Sequence, residues 1–160
     1  MMDIEIIKDK IRHALKALYK EDKYLFDKGL CERCILHRFA VYLERQNFEG
    51  YHVDCEYNKS HLGEITTNKM VSNINGNYID IIITKRNDNP QDDLICFEVK
   101  KWNNYDKRAK DRENLIILTG GKRFAYDYGF YIIFGKTIDK TKIEIYKSGE
   151  LLESLGSVPL

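Results

Sequence analysis

Residues 77–84 read NYIDIIIT, and residues 94–100 read LICFEVK. Both stretches consist mostly of Ile, Val, Leu and Phe, which is typical of short buried strands. Each also carries charge where apolar side chains are expected, with Asp80 in the first stretch and Glu98 and Lys100 in the second. Because a buried charge is costly unless another charge or a metal ion compensates it, three of them on two neighbouring strands indicate a functional site.

The alternation of side chains along a strand predicts how these charges are arranged. Glu98 and Lys100 point to one face of the sheet, whereas Phe97 and Val99 point to the other. If the two stretches pair as a hairpin, Asp80 lies beside Glu98 on the same face. Two carboxylates held close together repel each other, and a divalent cation relieves the repulsion. Oxygen ligands favour Mg²⁺, which keeps several of its waters, so we expect a Mg²⁺ site in which Mn²⁺ can substitute.

The composition bounds the class of protein. The chain has 160 residues, of which 43% are hydrophobic and 12% aromatic, as expected for one globular domain with a real core, residues 1–160. No apolar run approaches the length of a membrane span, and the N-terminus lacks the basic region and apolar stretch of a secretory signal. We therefore expect a cytoplasmic protein without a membrane partner. The net charge of +1 indicates that the chain as a whole is not a basic nucleic-acid-binding protein.

A local surplus of basic residues follows the second stretch. Between Glu98 and Arg123 there are eight Lys or Arg against four acids. Such a surplus suits a strip that attracts phosphates, and it equally suits a solvated helix face. The candidate nucleic-acid contacts are Lys101, Arg108, Arg112, Lys122 and Arg123.

The four cysteines predict neither a zinc site nor disulfides. Cys31 and Cys34 form a CxxC motif, but the motif falls inside a helical pattern, and no second CxxC or His pair completes a tetrahedral set. Cys55 and Cys96 lie in strand patterns and are typical small core residues. Reduced thiols are the simplest interpretation for a cytosolic chain.

Helical periodicity predicts a helix over residues 3–20 and a second helix over about residues 30–46. The apolar face of the second helix consists of Ile35, Leu36, Phe39 and Leu43. One turn towards the N-terminus, that face reaches Glu32. Glu32 is therefore a candidate third acid of the site, with Glu44 and Glu56 as alternatives.

Residues rich in β-branched and aromatic side chains predict the remaining strands. The predicted strands cover residues 51–57, 78–84, 94–100, 126–134 and 142–147, and the last is expected at the edge of the sheet. A further helix is expected to follow a cap formed by Asn103–Asn104 or by Asp106 and to run to about Thr119, where Gly120–Gly121 stops it.

The spacing of Asp80, a gap, and then Glu98-x-Lys100 resembles the signature of the PD-(D/E)XK nuclease superfamily, with Ile79 where the nominal Pro would stand. The helix, three strands, helix and strand predicted over about residues 30–135 are similar to the αβββαβ core of that superfamily. Small single-domain members also carry a Glu-Arg pair, a VDCEYN-like strand and an EVKK strand, which here are residues 32–33, 53–58 and 98–101.

The resemblance implies an α/β (α+β) fold of the restriction-endonuclease-like type, in which helices flank a central mixed sheet. This chain adds an N-terminal helix and a C-terminal edge strand to that core. The implied activity is metal-dependent hydrolysis of DNA, in DNA processing or in defence against foreign DNA. Asp80, Glu98 and the backbone carbonyl of Val99 are the implied metal ligands, and Lys100 is the implied catalytic lysine.

The roles of Lys100 and Glu32 need separate argument. A neutral lysine base would require a strongly lowered pKa, and neighbouring acids act in the opposite direction. We therefore expect Lys100 to orient the nucleophile and to stabilise charge at the phosphorus. Glu32 is expected to act as an auxiliary acid, either as a third ligand or by holding a water.

Two other interpretations stay open at this stage. The chain is also compatible with a catalytically inactive nuclease-fold module that binds nucleic acid or a protein partner. It is compatible as well with a structural domain in which Asp80 and Lys100 form a buried ion pair. Many enzymes of this fold act as dimers, so a homodimer is a further expectation. The choice between DNA and RNA is open.

Overall fold

The computed structural model of the protein describes residues 2–57, 79–87, 89–121 and 126–156. Over these ranges the chain forms four α-helices and one six-stranded mixed sheet. This α+β architecture agrees with the fold class expected from the sequence. No helix in the described ranges combines the length and the apolar character that crossing a membrane requires.

The helices and strands follow the predicted order with two additions, a short helix where a linker was expected and a sixth strand at the end. The helices are α1 (Ile4–Glu21), α2 (Lys23–Asp27), α3 (Glu32–Glu44) and α4 (Arg108–Gly120). The strands are β1 (His52–Tyr57), β2 (Ile79–Thr84), β3 (Asp93–Lys101), β4 (Tyr128–Phe134), β5 (Lys142–Lys147) and β6 (Glu150–Leu155). The stretch from α3 to β4 therefore has the helix, three strands, helix and strand that the pattern predicted.

The six strands lie in the sheet in their sequence order. Only β3 and β4 are parallel among the described neighbours, and the other neighbouring strands are antiparallel. A parallel pair needs a crossover connection, and α4 forms that crossover between β3 and β4.

The sheet is covered on both faces, and the alternation of β3 shows how. Phe97 and Val99 pack in the same core as α1 and α3. Cys96, one position out of phase, packs with Leu115 and Leu118 of α4. The α4-facing side of β3 is therefore the side that Glu98 and Lys100 share with Cys96.

The last strand differs from the prediction. The strand at residues 142–147 was expected at the edge, but β6 pairs with β5 and lies outside it. Ser148 and Gly149 connect the two strands with φ values of 52° and 79°, which is the backbone of a tight two-residue hairpin. The pattern missed β6 because Leu151 and Leu152 are adjacent and both exposed, so β6 lacks the alternation of a half-buried strand.

Two smaller predictions were also wrong. The helix α4 starts without the expected side-chain cap, because Lys107 precedes it in a left-handed conformation and Asn104 instead donates to Glu32. Cys55 was interpreted as a core residue, but it is exposed on the outermost described strand, where only one neighbouring strand covers it.

Candidate active site

The strand register places two of the predicted acids opposite each other. Strands β2 and β3 pair Ile81 with Phe97 and Ile82 with Cys96. Continuing the antiparallel register by one residue in each strand brings Asp80 opposite Glu98, on the face that α4 covers.

Asp80 also makes a direct contact with the backbone of β3. Its Oδ2 accepts a hydrogen bond of 2.8 Å from the N–H of Val99, beyond the last β2–β3 pair at this end. The N–H and C=O of a residue in an antiparallel strand face the same neighbour. The carbonyl of Val99 therefore faces the side of β3 on which Asp80 lies.

Glu98 is almost fully enclosed, with an exposed fraction of 5%. The side-chain amide of Asn114, on α4, donates to its Oε1 at 3.3 Å. Burial raises the pKa of Glu98 well above its usual value, and the charges of Asp80 and Asp111 raise it further. The free energy of ionising this carboxyl is therefore high, although the hydrogen bond from Asn114 and the charge of Lys100 lower it.

Lys100 pairs with an acid that the sequence analysis did not single out. Its Nζ lies 2.9 Å from Oδ2 of Asp111, on α4, and both side chains are largely buried. Burial by itself lowers the pKa of Lys100, but the hydrogen bond with Asp111 and the charges of Asp111, Asp80 and Glu32 outweigh it and leave the pKa raised. Lys100 is therefore a cation at neutral pH.

The pair with Lys100 does not fully compensate Asp111. Burial raises the pKa of Asp111 above its usual value, although the hydrogen bond and charge of Lys100 lower it. The raised pKa of Lys100 favours the charged form that the ion pair needs, whereas the raised pKa of Asp111 disfavours it. Burial is the larger influence on Asp111, and the charge of Glu32 adds to it.

A pattern in α4 could have revealed the two missed residues. Asp111 and Asn114 precede Leu115 and Leu118 at positions i, i+3, i+4 and i+7, which share one helical face. All four side chains are buried. A polar side chain on a core-facing stripe is the same signal that drew attention to Glu32.

The pKa of Asp80 reflects the charges of the whole cluster, which consists of Asp80, Glu98, Lys100 and Asp111. Burial raises its pKa to about 6, partly offset by the N–H of Val99 and the charge of Lys100 and reinforced by the charges of Asp111 and Glu32. The cluster therefore contains more carboxyls than cations. A site with this balance favours binding of an added cation.

Glu32 connects the start of α3 with the end of β3. Its Oε2 accepts a 2.7 Å hydrogen bond from the N–H of Lys101, and the amide of Asn104 donates to both of its carboxylate oxygens. Its charge raises the pKa of Asp80. These contacts give Glu32 a positioning role beside the cluster.

The two alternatives for the third acid lie elsewhere. Glu44 is exposed at the end of α3. Glu56 lies within β1, at the position level with Asp80, but its backbone is left-handed, with φ of 47°, and its carboxylate lies 3.2 Å from Nε of Arg33. Of the three acids, Glu32 is the one whose carboxylate bonds to β3.

The donor set suits a small oxygen-preferring cation. Among the residues that the structure describes, no three His, Cys, Asp or Glu side chains are grouped as metal ligands. Mg²⁺ usually takes only one or two carboxylates and completes its shell with waters and phosphate oxygens. Asp80, Glu98 and the Val99 carbonyl would provide such a partial shell. Tyr131, opposite Glu98 on β4, adds a buried hydroxyl without a hydrogen-bond partner in the described part of the chain.

No protein-family model, curated protein or solved structure matches this chain. A function for this chain therefore has to follow from the chemistry of the site itself.

Three of the predicted nucleic-acid contacts, Lys101, Arg108 and Arg112, have partners within the protein. The ammonium of Lys101 donates to the carbonyls of Gly29 and Leu30 at 2.7 and 2.9 Å. The guanidinium of Arg108 donates to the carbonyl of Asn104 at 2.8 Å. Lys101 thus connects β3 to the loop before α3, and Arg108 connects the start of α4 to the loop that precedes it.

Arg112 is held even more firmly. It donates from Nε and Nη2 to the two carboxylate oxygens of Glu144, each at 2.7 Å, and its guanidinium carbon lies 4.6 Å from the ring centroid of Tyr131. Lys122 and Arg123 lie outside the described residues. The structure therefore gives the described basic candidates intramolecular roles, and their contact with nucleic acid stays a prediction.

Proposed function

We propose that this protein is a metal-dependent nuclease that hydrolyses DNA phosphodiester bonds, built on a restriction-endonuclease-like core. One observation carries the proposal: the register of β2 and β3 brings the half-buried carboxyl of Asp80 opposite the buried carboxyl of Glu98, with Lys100 on the same face of the sheet. Two acids whose pKa values are raised by burial and repulsion have the chemistry of a site that a divalent cation completes.

Asp80 and Glu98 would hold Mg²⁺ or Mn²⁺, with the carbonyl of Val99 as a further ligand. The ion would supply polarisation of the phosphodiester and acidification of a water. The protein positions its ligands beforehand, because the N–H of Val99 fixes Asp80 and the amide of Asn114 fixes Glu98. Such preorganisation lowers the reorganisation needed during the reaction.

Lys100 would act as a fixed positive charge. Its raised pKa keeps the ammonium protonated at neutral pH, so it is unsuited to remove a proton from water. Asp111 holds the ammonium at 2.9 Å and thereby positions it beside the two acids. A charge held in this way stabilises the negative charge that develops at the phosphate.

The test is cleavage of plasmid DNA, single-stranded DNA and single-stranded RNA with Mg²⁺ or Mn²⁺. Wild-type protein should cut at least one of the two DNA substrates only when metal is present, and Asp80→Asn and Lys100→Met should not cut. Asp92→Asn is the matched control, because Asp92 pairs with Lys85 at 2.7 Å at the opposite end of the same two strands. Cutting that survives Asp80→Asn, or that needs no metal, would contradict the proposed site.

A second candidate function is a nuclease-fold module that binds nucleic acid or a partner without cutting. The observation that favours it is the ion pair between Lys100 and Asp111, since a lysine already bound by an acid suits a structural role. Calorimetry with Mn²⁺ separates the two candidates. Metal binding that Asp80→Asn abolishes supports the enzyme, whereas DNA binding without metal binding supports the module.

A further inference from the structure

A pair of thiols lies at the start of α3, outside the cluster on β2 and β3. Cys31 is the N-cap of α3, and Cys34 lies in its first turn. Both side chains are exposed, and their sulfur atoms are 2.9 Å apart. Neither the proposed hydrolysis nor the core packing uses these two thiols.

The position of Cys31 favours its thiolate. The first turn of a helix presents unpaired N–H groups and the positive end of the helix dipole, and thiols at such positions ionise more readily. The contact between the two thiols lowers the pKa of Cys31 and raises the pKa of Cys34. The two thiols are therefore unequal, and Cys31, at the N-cap, is the one that forms a thiolate more readily.

The helix start also holds the two sulfurs close enough to bond. A disulfide has a sulfur–sulfur distance of about 2.05 Å, so closing the present gap of 2.9 Å needs a movement of less than about 1 Å. The backbone between the thiols is anchored, because Glu32 accepts the hydrogen bond from Lys101 on β3.

We propose that Cys31 and Cys34 are a redox-active dithiol that exchanges with the disulfides of small thiols such as glutathione. The thiolate of Cys31 attacks one sulfur of the small disulfide, forms a mixed disulfide and releases one small thiolate. The thiolate of Cys34 then attacks the sulfur of Cys31 and releases the second small thiolate. Two protein thiols are oxidised to one disulfide, and one small disulfide is reduced to two thiols.

The other two cysteines provide the comparison. Cys96 is buried on β3 and contacts the carbonyl of Tyr128 at 3.8 Å. Cys55 is exposed on β1, but burial of its sulfur, followed by the charges of neighbouring acids, raises its pKa to about 11. Cys55 is therefore a thiol that reagents can reach but that lacks a thiolate at neutral pH.

The experiment equilibrates the full chain with graded ratios of reduced and oxidised glutathione in the presence of a chelator. Acid quenching, alkylation and intact-mass and peptide mapping then follow the thiols. Wild-type protein and Cys55→Ser should lose the mass of two hydrogens and show a peptide linked between Cys31 and Cys34. Cys34→Ser should stop at one glutathionyl group on Cys31. Before oxidation, Cys31 should be alkylated at least ~10-fold faster than Cys55.

Three results would overturn the dithiol. One is wild-type protein that stays reduced at every ratio, and another is wild-type protein that stops at the mixed disulfide. The third is oxidation of Cys55 to the same extent as Cys31. These readouts do not involve DNA or a divalent metal, so they are independent of the proposed nuclease activity.

Discussion

The ammonium of Lys100 on β3 lies 2.9 Å from the carboxylate of Asp111 on α4. This contact joins the crossover helix to the strand that carries Glu98. It also places the lysine within a group that contains more acids than cations, since Asp80 and Glu32 influence the same ammonium. Lys100 therefore contributes more to the free energy of unfolding than Asp111 does.

Replacing Lys100 should cost more stability than replacing Asp111. Lys100→Met leaves buried carboxylates uncompensated and should lower the free energy of unfolding by about 2–4 kcal/mol. Asp111→Asn should change the free energy of unfolding by about 1 kcal/mol or less. The variant loses the ion pair, but it no longer buries a charged carboxylate. Urea denaturation measures both, with Glu113→Gln on the exposed face of α4 as control. Equal losses for Lys100→Met and Asp111→Asn would contradict the surplus of negative charge.

The contribution of Asp80 to the stability of the metal-free protein should fall as pH rises from about 4 to above 6. The pKa of Asp80 is about 6 in the folded protein against an ordinary value of 3.8. Between these values the folded state binds more protons than the unfolded state, so raising the pH favours unfolding. The stabilisation is complete below the lower value and is lost through the upper one.

Asp80→Asn isolates this effect from other titrating groups. Its free energy of unfolding relative to wild type should increase as pH rises through 6, because the variant has no carboxyl to ionise. Urea denaturation at a series of pH values in a chelating buffer measures the difference. A difference that is constant with pH would show that Asp80 is not perturbed.

Replacing Asp80 or Glu98 should abolish metal binding without lowering the stability of the metal-free protein. Asp80→Asn and Glu98→Gln remove buried carboxyls that are costly to ionise, so neither variant should be less stable than wild type at pH 7 without metal. Both should lose binding of Mn²⁺ in calorimetry, whereas Asp92→Asn should keep it. Strong destabilisation by either variant would instead support a structural salt-bridge network.

Removing the carboxylate of Glu32 should loosen the junction of α3 and β3. Glu32→Ala leaves the N–H of Lys101 and the amide of Asn104 without their acceptor, which should cost about 1–3 kcal/mol. Hydrogen exchange of the Lys101 amide should become faster. Glu44→Ala, at the exposed end of the same helix, is the control. An unchanged exchange rate in Glu32→Ala would contradict this role.

Gly120 at the end of α4 should not tolerate a side chain. A Cβ atom built there would lie 2.8 Å from Cα of Gly149 in the β5–β6 turn, and backbone cannot move aside cheaply. Gly120→Ala should therefore destabilise the protein by about 1–3 kcal/mol. Gly156→Ala is the matched control, since a Cβ there meets no atom within 4 Å. Thermal or urea unfolding distinguishes the two, and equal stability would contradict the close packing.

Much of the fold could be predicted because its patterns are local. The charged positions of β2 and β3 stood out against Ile-rich surroundings, and the period of α1 predicted its range to within one residue at each end. Strand β6 could not be predicted in the same way, because the positive φ values of Ser148 and Gly149 depend on the turn closing against β5. A Ser-Gly pair is a weaker turn signal than Asn-Gly.

The sequence by itself determined that Asp80, Glu98 and Lys100 would share one face, because strand alternation is a property of the local backbone. Only the tertiary structure decided which side chains meet them. The docking of α4 on the sheet brings Asp111 to Lys100, and the position of β5 turns Arg112 towards Glu144 instead of solvent. The physical reason is that periodicity fixes the direction of a side chain within its own element, whereas the partner across a layer depends on where the whole helix packs.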